Sequence, residues 1–192
     1  MVTGGLKAQE QALKIAYIVG QNVIFRKHTL ISNGANGVDE TSCKGAFMAA
    51  RIGEMDAKNT IYIFRSQKYP DSLLDFGHIE IIGETPEERR AVVVEQSHAV
   101  IIIGGNKGTK SVVRQAQIMK KPIIPVRIRE DNEISSIFWH KIYDQNSDSL
   151  PYIPIKKEDL QKIDTRQNDI EEVALSAVMI AENLVYTRNG SE

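Results

Sequence analysis

A glycine-rich segment at residues 104–109, with the sequence GGNKGT, is the part of the chain best suited to chemistry. It directly follows five apolar residues, and a β-branched run of this kind is typical of a strand buried on both faces of a parallel sheet. Thr109 is predicted to be the N-cap of the next helix. Free backbone N–H groups at a helix N-terminus bind phosphate or another anion, and Lys107 adds a positive charge. The alternative is that these glycines only form a tight turn.

Two further glycine turns follow predicted strands. One comprises Gly4 and Gly5, and the other comprises Ser32, Asn33 and Gly34. In a doubly wound sheet the ligand binds beyond the carboxyl ends of the strands, near the point where the strand order reverses. We therefore expect the three turns to converge on one ligand site.

Arginines flank these turns. Arg65 ends a predicted strand, while Arg89 and Arg90 lie on the helix that leads into the strand before the GGNKGT turn. That helix has a clear start at residues 85–88, TPEE, where threonine caps, proline takes the first position and glutamate completes a capping box. The sequence leaves open which of the two neighbouring arginines faces the site.

Composition excludes several classes of function. The 192 residues are 42% hydrophobic and 26% charged with a net charge of −1, which argues against a mainly electrostatic nucleic-acid or membrane binder. Because Cys43 is the single cysteine, the chain has no internal disulfide, which fits the reducing cytoplasm. Cys43 lies in an apolar helical pattern, which favours a packing role. The four histidines are scattered, and there is no nucleophile elbow, so neither a metal site nor a serine-type enzyme is predicted.

Strands and helices alternate along the chain, which predicts one α/β domain over residues 1–192 with a doubly wound sheet. No apolar segment approaches the ~20 residues of a membrane-spanning helix. The predicted strands after the first two turns are 60–65, 79–82, 99–103 and 123–128. The predicted helices include 6–25, 85–95, 134–143 and 169–186.

These motifs resemble the SLOG (Smf/DprA–LOG) superfamily of Rossmann-like domains. Residues 32–39, SNGANGVD, are similar to the SGGARGVD motif of its DNA-processing branch, and residues 104–109 are similar to the PGGxGT loop of the LOG phosphoribohydrolases. The similarity extends from Val2 to about Val126. It implies a Rossmann-like doubly wound sheet, mainly parallel, with helices on both faces.

The loop differs from that of the LOG enzymes. No carboxylate follows Thr109, where those enzymes carry a catalytic glutamate, so no group there acts on an N-glycosidic bond. Ile103 replaces the proline, and Lys107 occupies an additional position in the loop. This pattern is similar to the C-terminal SLOG domain of Thoeris antiphage effectors, which senses a cyclic ADP-ribose isomer made by a partner TIR protein.

The resemblance implies a non-catalytic sensor of a cyclic ADP-ribose isomer, with no further cofactor, that activates a linked effector domain. The very short first strand fits a module of such a larger effector. The two phosphates are expected on the GGNKGT turn, countered by Arg90 and Lys107, with Arg65 and the second turn around the rest of the ligand. The expected ligand-binding residues are Gly4, Gly5, Ser32, Asn33, Gly34, Arg65, Arg90, Gly104, Gly105, Lys107, Gly108 and Thr109.

Two other functions stay open. A LOG-like hydrolase of nucleoside monophosphates requires a carboxylate, and Glu84, Glu88 and Glu95 are the candidates to reach the site. Single-stranded DNA binding, as in the DNA-processing branch, is disfavoured by the charge balance and by the lack of an aromatic and basic surface.

The last predicted helix carries two apolar stripes. One contains Ile170, Ala174 and Ala177, whereas Leu175 and Met179 fall on nearly the opposite side together with a tyrosine. An outer helix needs only one apolar face to pack on its own sheet. We therefore expect a homo-oligomer, at least a dimer, with this helix in the contact. The alternative is that the second stripe packs under the loop at residues 144–154.

Overall fold

The structure is a computed structural model that describes residues 1–68, 73–129, 132–144 and 155–189. Strands alternate with helices along the chain, as predicted for an α/β fold. The strands are β1 (Val2–Gly4), β2 (Leu30–Ser32), β3 (Ile61–Arg65), β4 (His78–Ile81), β5 (Val100–Ile103) and β6 (Ile123–Val126). The helices are α1 (Glu10–Phe25), α2 (Val38–Ile52), α3 (Ala57–Thr60), α4 (Pro86–Gln96), α5 (Lys107–Ile118), α6 (Ile134–Tyr143), α7 (Lys157–Lys162) and α8 (Ile170–Asn189).

The strands form two parallel sheets, β1-β5-β6 and β2-β3-β4, which meet at β1 and β2. Across both sheets the order is therefore β4-β3-β2-β1-β5-β6. Strand β5 lies between β1 and β6 and is buried along its whole length, as its apolar run predicted. The chain proceeds from β1 outward to β4 and then returns to the other side of β1. The strand order consequently reverses between β1 and β5, where a doubly wound sheet binds its ligands.

Helices cover both faces of this layer. Helices α1 and α2 pack on each other and α8 packs on α1, whereas α4 contacts α5. Right-handed crossovers place the α1–α2 pair and the α4–α5 pair on opposite faces, because the chain moves in opposite directions from β1 and from β5. No helix within the described ranges is long and apolar enough to cross a membrane.

The apolar stripes predicted for the helices form the core. Burial raises the pKa of Cys43 to about 12, so its thiol stays protonated at neutral pH and serves packing. Buried members from four helices are Ile15, Ala16, Val19, Cys43, Ala46, Val112, Val113, Ala116, Val173, Ala174 and Ala177.

The second stripe of α8 is exposed to solvent. Leu175 is 39% exposed, Met179 41% and Tyr186 65%. The loop that was the alternative partner of this stripe comprises residues 144–154, of which the structure describes only Asp144. Oligomerisation through α8 stays a prediction.

Some helix and strand ends differ from the sequence-based prediction. Helix α1 begins at Glu10 instead of residue 6, because residues 5–9 form the loop that meets the turn after β2. Helix α5 begins at Lys107 with Asn106 as its N-cap, so the prediction of Thr109 as the cap is wrong. The Thr109 hydroxyl bonds to another strand instead of its own helix. Strand β6 ends at Val126 instead of residue 128. The capping box at the start of α4 is confirmed.

Candidate functional site

The turn after β1 is in contact with the turn after β2. The Gly5 carbonyl oxygen accepts a 3.2 Å hydrogen bond from the Val38 amide at the start of α2. Gly37 has a φ of 79°, and a Cβ at this position would lie 2.2 Å from that same carbonyl oxygen. Both the left-handed backbone and the close approach therefore require glycine at position 37. These two contacts between the turns are made by backbone atoms.

The turn after β1 also contacts the turn after β5. The Thr109 hydroxyl, on a residue only 3% exposed, donates a 3.0 Å hydrogen bond to the Gly4 carbonyl oxygen. Gly105 has a φ of 100°, and a Cβ there would lie 2.1 Å from the Thr109 hydroxyl oxygen. The three glycine turns thus converge at the carboxyl edge of the sheet, with the β1 turn in the middle.

The N-terminus of α5 is an exposed part of this edge. Asn106 and Lys107 are exposed, so the amide groups of the first turn of α5 face an accessible surface. The Arg90 guanidinium lies 3.3 Å from the position that a Cβ on Gly108 would occupy. It also forms a 2.9 Å ion pair with Glu87. Two cations therefore stand beside the start of a twelve-residue helix, where the helix dipole also favours negative charge.

The structure distinguishes the two neighbouring arginines of α4. Arg89 is 2% exposed, and its positive charge acts on the buried Asp39. The Arg90 side chain is 19% exposed and reaches the surface beside α5. Arg90 is therefore the arginine placed next to the glycine turn, and Arg89 lies inside the protein.

Asp39 is a central residue of this edge that was not among the predicted site residues, although it ends the SNGANGVD segment. Its carboxylate accepts hydrogen bonds from the Thr3 hydroxyl at 3.0 Å, the Gly4 amide at 3.3 Å and the Asn33 amide group at 3.2 Å. Burial raises the pKa of Asp39 to about 6, although these bonds and the charge of Arg89 act in the opposite direction. Asp39 therefore joins β1 to the turn after β2.

The remaining predicted residues lie farther along the same edge. The Ser32 hydroxyl oxygen accepts a 3.1 Å hydrogen bond from the Gly34 amide, and Arg65 donates to the Leu74 carbonyl. Strands β2 and β3 stand two and three positions from β5, which at about 4.8 Å per strand corresponds to roughly 10 and 14 Å. None of the hydrogen bonds among the described residues joins Ser32, Asn33 or Arg65 directly to the GGNKGT turn.

Helix α6 brings a carboxylate to the GGNKGT turn. The Gly104 amide donates a 2.8 Å hydrogen bond to the Ser135 hydroxyl, and the Gly105 carbonyl accepts one of 3.0 Å from the Ile134 amide. The Glu133 carboxylate consequently lies about 3.4 Å from the position that a Cβ on Gly104 would occupy. No sequence motif pointed to Glu133, because it lies 29 residues after Gly104 in the chain.

The glutamates considered from the sequence are engaged elsewhere. Glu88 accepts hydrogen bonds from the amides of Glu84 and Thr85 within the capping box, and the Glu84 carboxylate pairs with Lys68. Glu95 lies at the far end of α4, about 13 Å along the helix axis from its start, since each residue adds about 1.5 Å. None of the three is positioned by the described contacts at the GGNKGT turn.

Comparison with known proteins identifies the family. Residues 1–153 match the model of the SLOG cluster4 family. An uncharacterised protein of Archaeoglobus fulgidus is 28% identical over 130 residues, covering 64% of this chain and 80% of that protein. The crystal structure of the structural genomics target TM1055 is 18% identical with a TM-score of 0.66, over 95% of this chain and 96% of the other. The molybdenum cofactor binding protein of Rippkaea orientalis is 25% identical with a TM-score of 0.57, over 82% and 88%.

The matched region contains all three glycine turns and every strand of the sheet. The parallel sheet and its flanking helices agree with the Rossmann-like neighbours. The resemblance to the SLOG superfamily is therefore confirmed, and a ligand-binding role agrees with these neighbours. The chain belongs to the SLOG cluster4 family.

Proposed function

We propose that this domain binds a diphosphate-bearing nucleotide, of the cyclic ADP-ribose isomer class, at the carboxyl edge of the sheet and does not transform it. The observation that carries the proposal is the Thr109–Gly4 hydrogen bond, which joins the turns after β1 and β5 at the point where the strand order reverses. This is the place where doubly wound sheets bind their ligands.

The phosphates would bind at the start of α5. The amides of its first turn donate to phosphate oxygens, and Lys107 and Arg90 supply the compensating charge. The turn itself needs little reorganisation, because Gly104 and Gly105 are already fixed by hydrogen bonds to α6. A fixed turn lowers the entropic cost of binding.

The rest of the nucleotide would extend toward β2 and β3. Among the described residues, the Asn33 oxygen Oδ1 and the Arg65 nitrogen Nε are buried without a hydrogen-bond partner. A buried polar atom without a partner is costly, so a ligand that supplies one donor and one acceptor there would gain affinity. A span of roughly 14 Å from β3 to β5 suits a dinucleotide-sized molecule better than a lone phosphate.

The absence of turnover is proposed from the residues that follow Thr109. Lys110, Ser111, Val112 and Val113 carry no carboxylate, so the position used by LOG enzymes lacks its acid or base. Glu133 is a carboxylate beside the turn, and its substitution tests this part of the proposal. By its resemblance to Thoeris effectors, ligand binding would activate a linked effector domain.

A second ligand is favoured by one comparison. The Rippkaea orientalis protein, which is 25% identical, binds the molybdenum cofactor. That cofactor is a pterin with a phosphate, so it would use the same phosphate contacts at the start of α5 as a nucleotide. The two ligands differ in the part that reaches β2 and β3, where one presents an adenosine group and the other a pterin with its metal.

Calorimetric titration with cyclic ADP-ribose isomers, AMP and single-stranded DNA tests the proposal. Lys107→Ala and Arg90→Ala should each weaken nucleotide binding about tenfold or more, since a charge-assisted hydrogen bond contributes roughly 1.5–3 kcal/mol. Lys110→Ala is the matched control, because this exposed lysine lies on α5 one turn farther along, and it should change affinity less than about twofold. Equal affinity in all three variants would reject the phosphate subsite.

Two measurements separate the alternatives. Release of free base from AMP or NAD, lost in Glu133→Gln, would show a hydrolase instead of a sensor. Molybdenum and fluorescent oxidised pterin retained by the protein purified from a cofactor-producing host, and lost in Lys107→Ala, would favour the molybdenum cofactor.

A further inference from the structure

A cavity of about 430 Å³ lies at the amino edge of the sheet, opposite the glycine turns. The starts of β1, β2 and β5 form its floor, and its walls come from the end of α1, the turn before β5 and helix α8. Small-molecule sites typically measure roughly 300–1,000 Å³, so the cavity is large enough for a compact organic ligand.

The floor and the rim of this cavity differ in chemistry. Val2, Leu30 and Ile101 give the floor a buried apolar surface, and Val178 adds to it from the wall. The rim carries polar and charged side chains, and those that reach solvent include Lys27, His28, Gln96, His98 and Tyr186. An apolar body with one polar end would therefore match the cavity.

The charge at the rim favours an anion. Glu182 is the one carboxylate among the described residues that line the cavity, and it is already engaged. It accepts a 2.8 Å hydrogen bond from Arg26 Nε and lies 3.2 Å from His28 Nε2, and these contacts, Arg26 first, lower the pKa of Glu182. With that carboxylate paired to Arg26, the exposed ammonium group of Lys27 gives the rim a positive charge, and the two imidazoles can donate hydrogen bonds beside it.

We propose that this cavity is a second binding site, for a small amphipathic organic anion whose acid group lies at Lys27 and the two histidines. The apolar part of the ligand would cover Val2, Ile101 and Val178. The cavity and the glycine turns are separate sites, because they lie at opposite ends of the same strands.

Two fluorescent probes test the proposal on the intact chain. The anionic probe 1-anilinonaphthalene-8-sulfonate should bind saturably at one site, and its neutral relative N-phenyl-1-naphthylamine should bind at least fivefold more weakly. Lys27→Glu reverses one exposed rim charge and should weaken the anionic probe about five- to tenfold. Lys58→Glu makes the same change of charge away from the cavity and should change its affinity less than about twofold.

The four histidines give an internal control for location. His28 and His98 line the cavity, whereas His78 and His140 do not. Binding of the anionic probe should shift the imidazole proton resonances of the first pair and leave the second pair unchanged. Ala181→Trp, which places an indole in the cavity, should abolish saturable binding.

Several results would overturn this second site. They are equal affinity for both probes, equal effects of Lys27→Glu and Lys58→Glu, and shifts at His78 and His140 as large as those at the cavity. Light scattering that shows a dimer without saturable probe binding would assign the cavity to a second copy of the chain instead. Lys107→Ala should leave the probe affinity unchanged, so failure here is distinguishable from failure of the nucleotide proposal.

Discussion

Removing the hydrogen bond from Thr109 to the Gly4 carbonyl oxygen is the most direct test of how the site is assembled. It connects α5 to β1 through two residues that are 105 positions apart in the chain, at an oxygen-to-oxygen distance of 3.0 Å. Thr109→Val keeps the shape of the side chain and replaces the hydroxyl by a methyl group. The Gly4 carbonyl oxygen would then lie in a half-buried position without this donor.

The expected loss of stability follows from that missing partner. A buried acceptor without a hydrogen bond costs about 1–3 kcal/mol of the free energy of unfolding. For a domain of this size each kcal/mol lowers Tm by roughly 2–4 °C, so a loss of about 2 kcal/mol predicts a decrease of roughly 4–8 °C. Thr109→Ser retains the hydroxyl and removes one methyl group, which costs about 0.8 kcal/mol.

Urea unfolding of the wild type and both variants measures this difference. Thr109→Val should be the less stable variant, with an unchanged dependence on urea concentration, because the surface exposed on unfolding is the same. If Thr109→Ser loses more stability than Thr109→Val, methyl packing holds the two turns together and the reasoning from the hydrogen bond is wrong.

Three further predictions concern the turns, the core and the assembly. By urea unfolding, Gly37→Ala should lose about 2 kcal/mol or more. Gly53→Ala should lose less than about 1 kcal/mol, because Gly53 has a φ of −86° and the nearest atom to an added Cβ is the end of a flexible methionine side chain. Cys43 should react with iodoacetamide only when the protein unfolds, because its thiol is fully buried and burial also raises its pKa to about 12. Rapid labelling of the folded protein would contradict this. Leu175→Glu combined with Met179→Glu should convert an oligomer to a folded monomer by light scattering, and a wild type that is monomeric at high concentration rejects the interface.

The local sequence was sufficient to predict the strands and helices, and to predict which edge of the sheet carries the glycine turns. The uninterrupted apolar run at residues 99–103 predicted a strand buried on both faces, and β5 is buried throughout. The TPEE segment predicted the start of α4, and its capping box is present. Such patterns are reliable because the hydrogen bonds of a helix start, and the alternation of a strand, depend on residues within about four positions of each other.

The sequence also indicated that the three turns converge, because parallel strands present their carboxyl ends at one edge. It did not indicate which side chains hold the turns together. Asp39 binds Thr3, 36 residues away, and Glu133 reaches Gly104 only through the start of α6. These contacts depend on how the elements pack, which no local spacing reports.

Thr109 shows why local sequence does not predict the hydrogen-bond partner of a side chain. Its hydroxyl has two suitable partners, the amides of its own helix and a carbonyl group of another strand. The first is visible in the sequence as an N-cap pattern. The second exists only once β1 and β5 have paired and Gly105 has closed the turn over Thr109, and it is the one that forms. The sequence alone therefore determined the strands, the glycine turns and the family resemblance. The tertiary structure decided the partner of this hydroxyl, the burial of Arg89 and the cavity at the opposite edge. These three features depend on groups that folding brings together from distant parts of the chain.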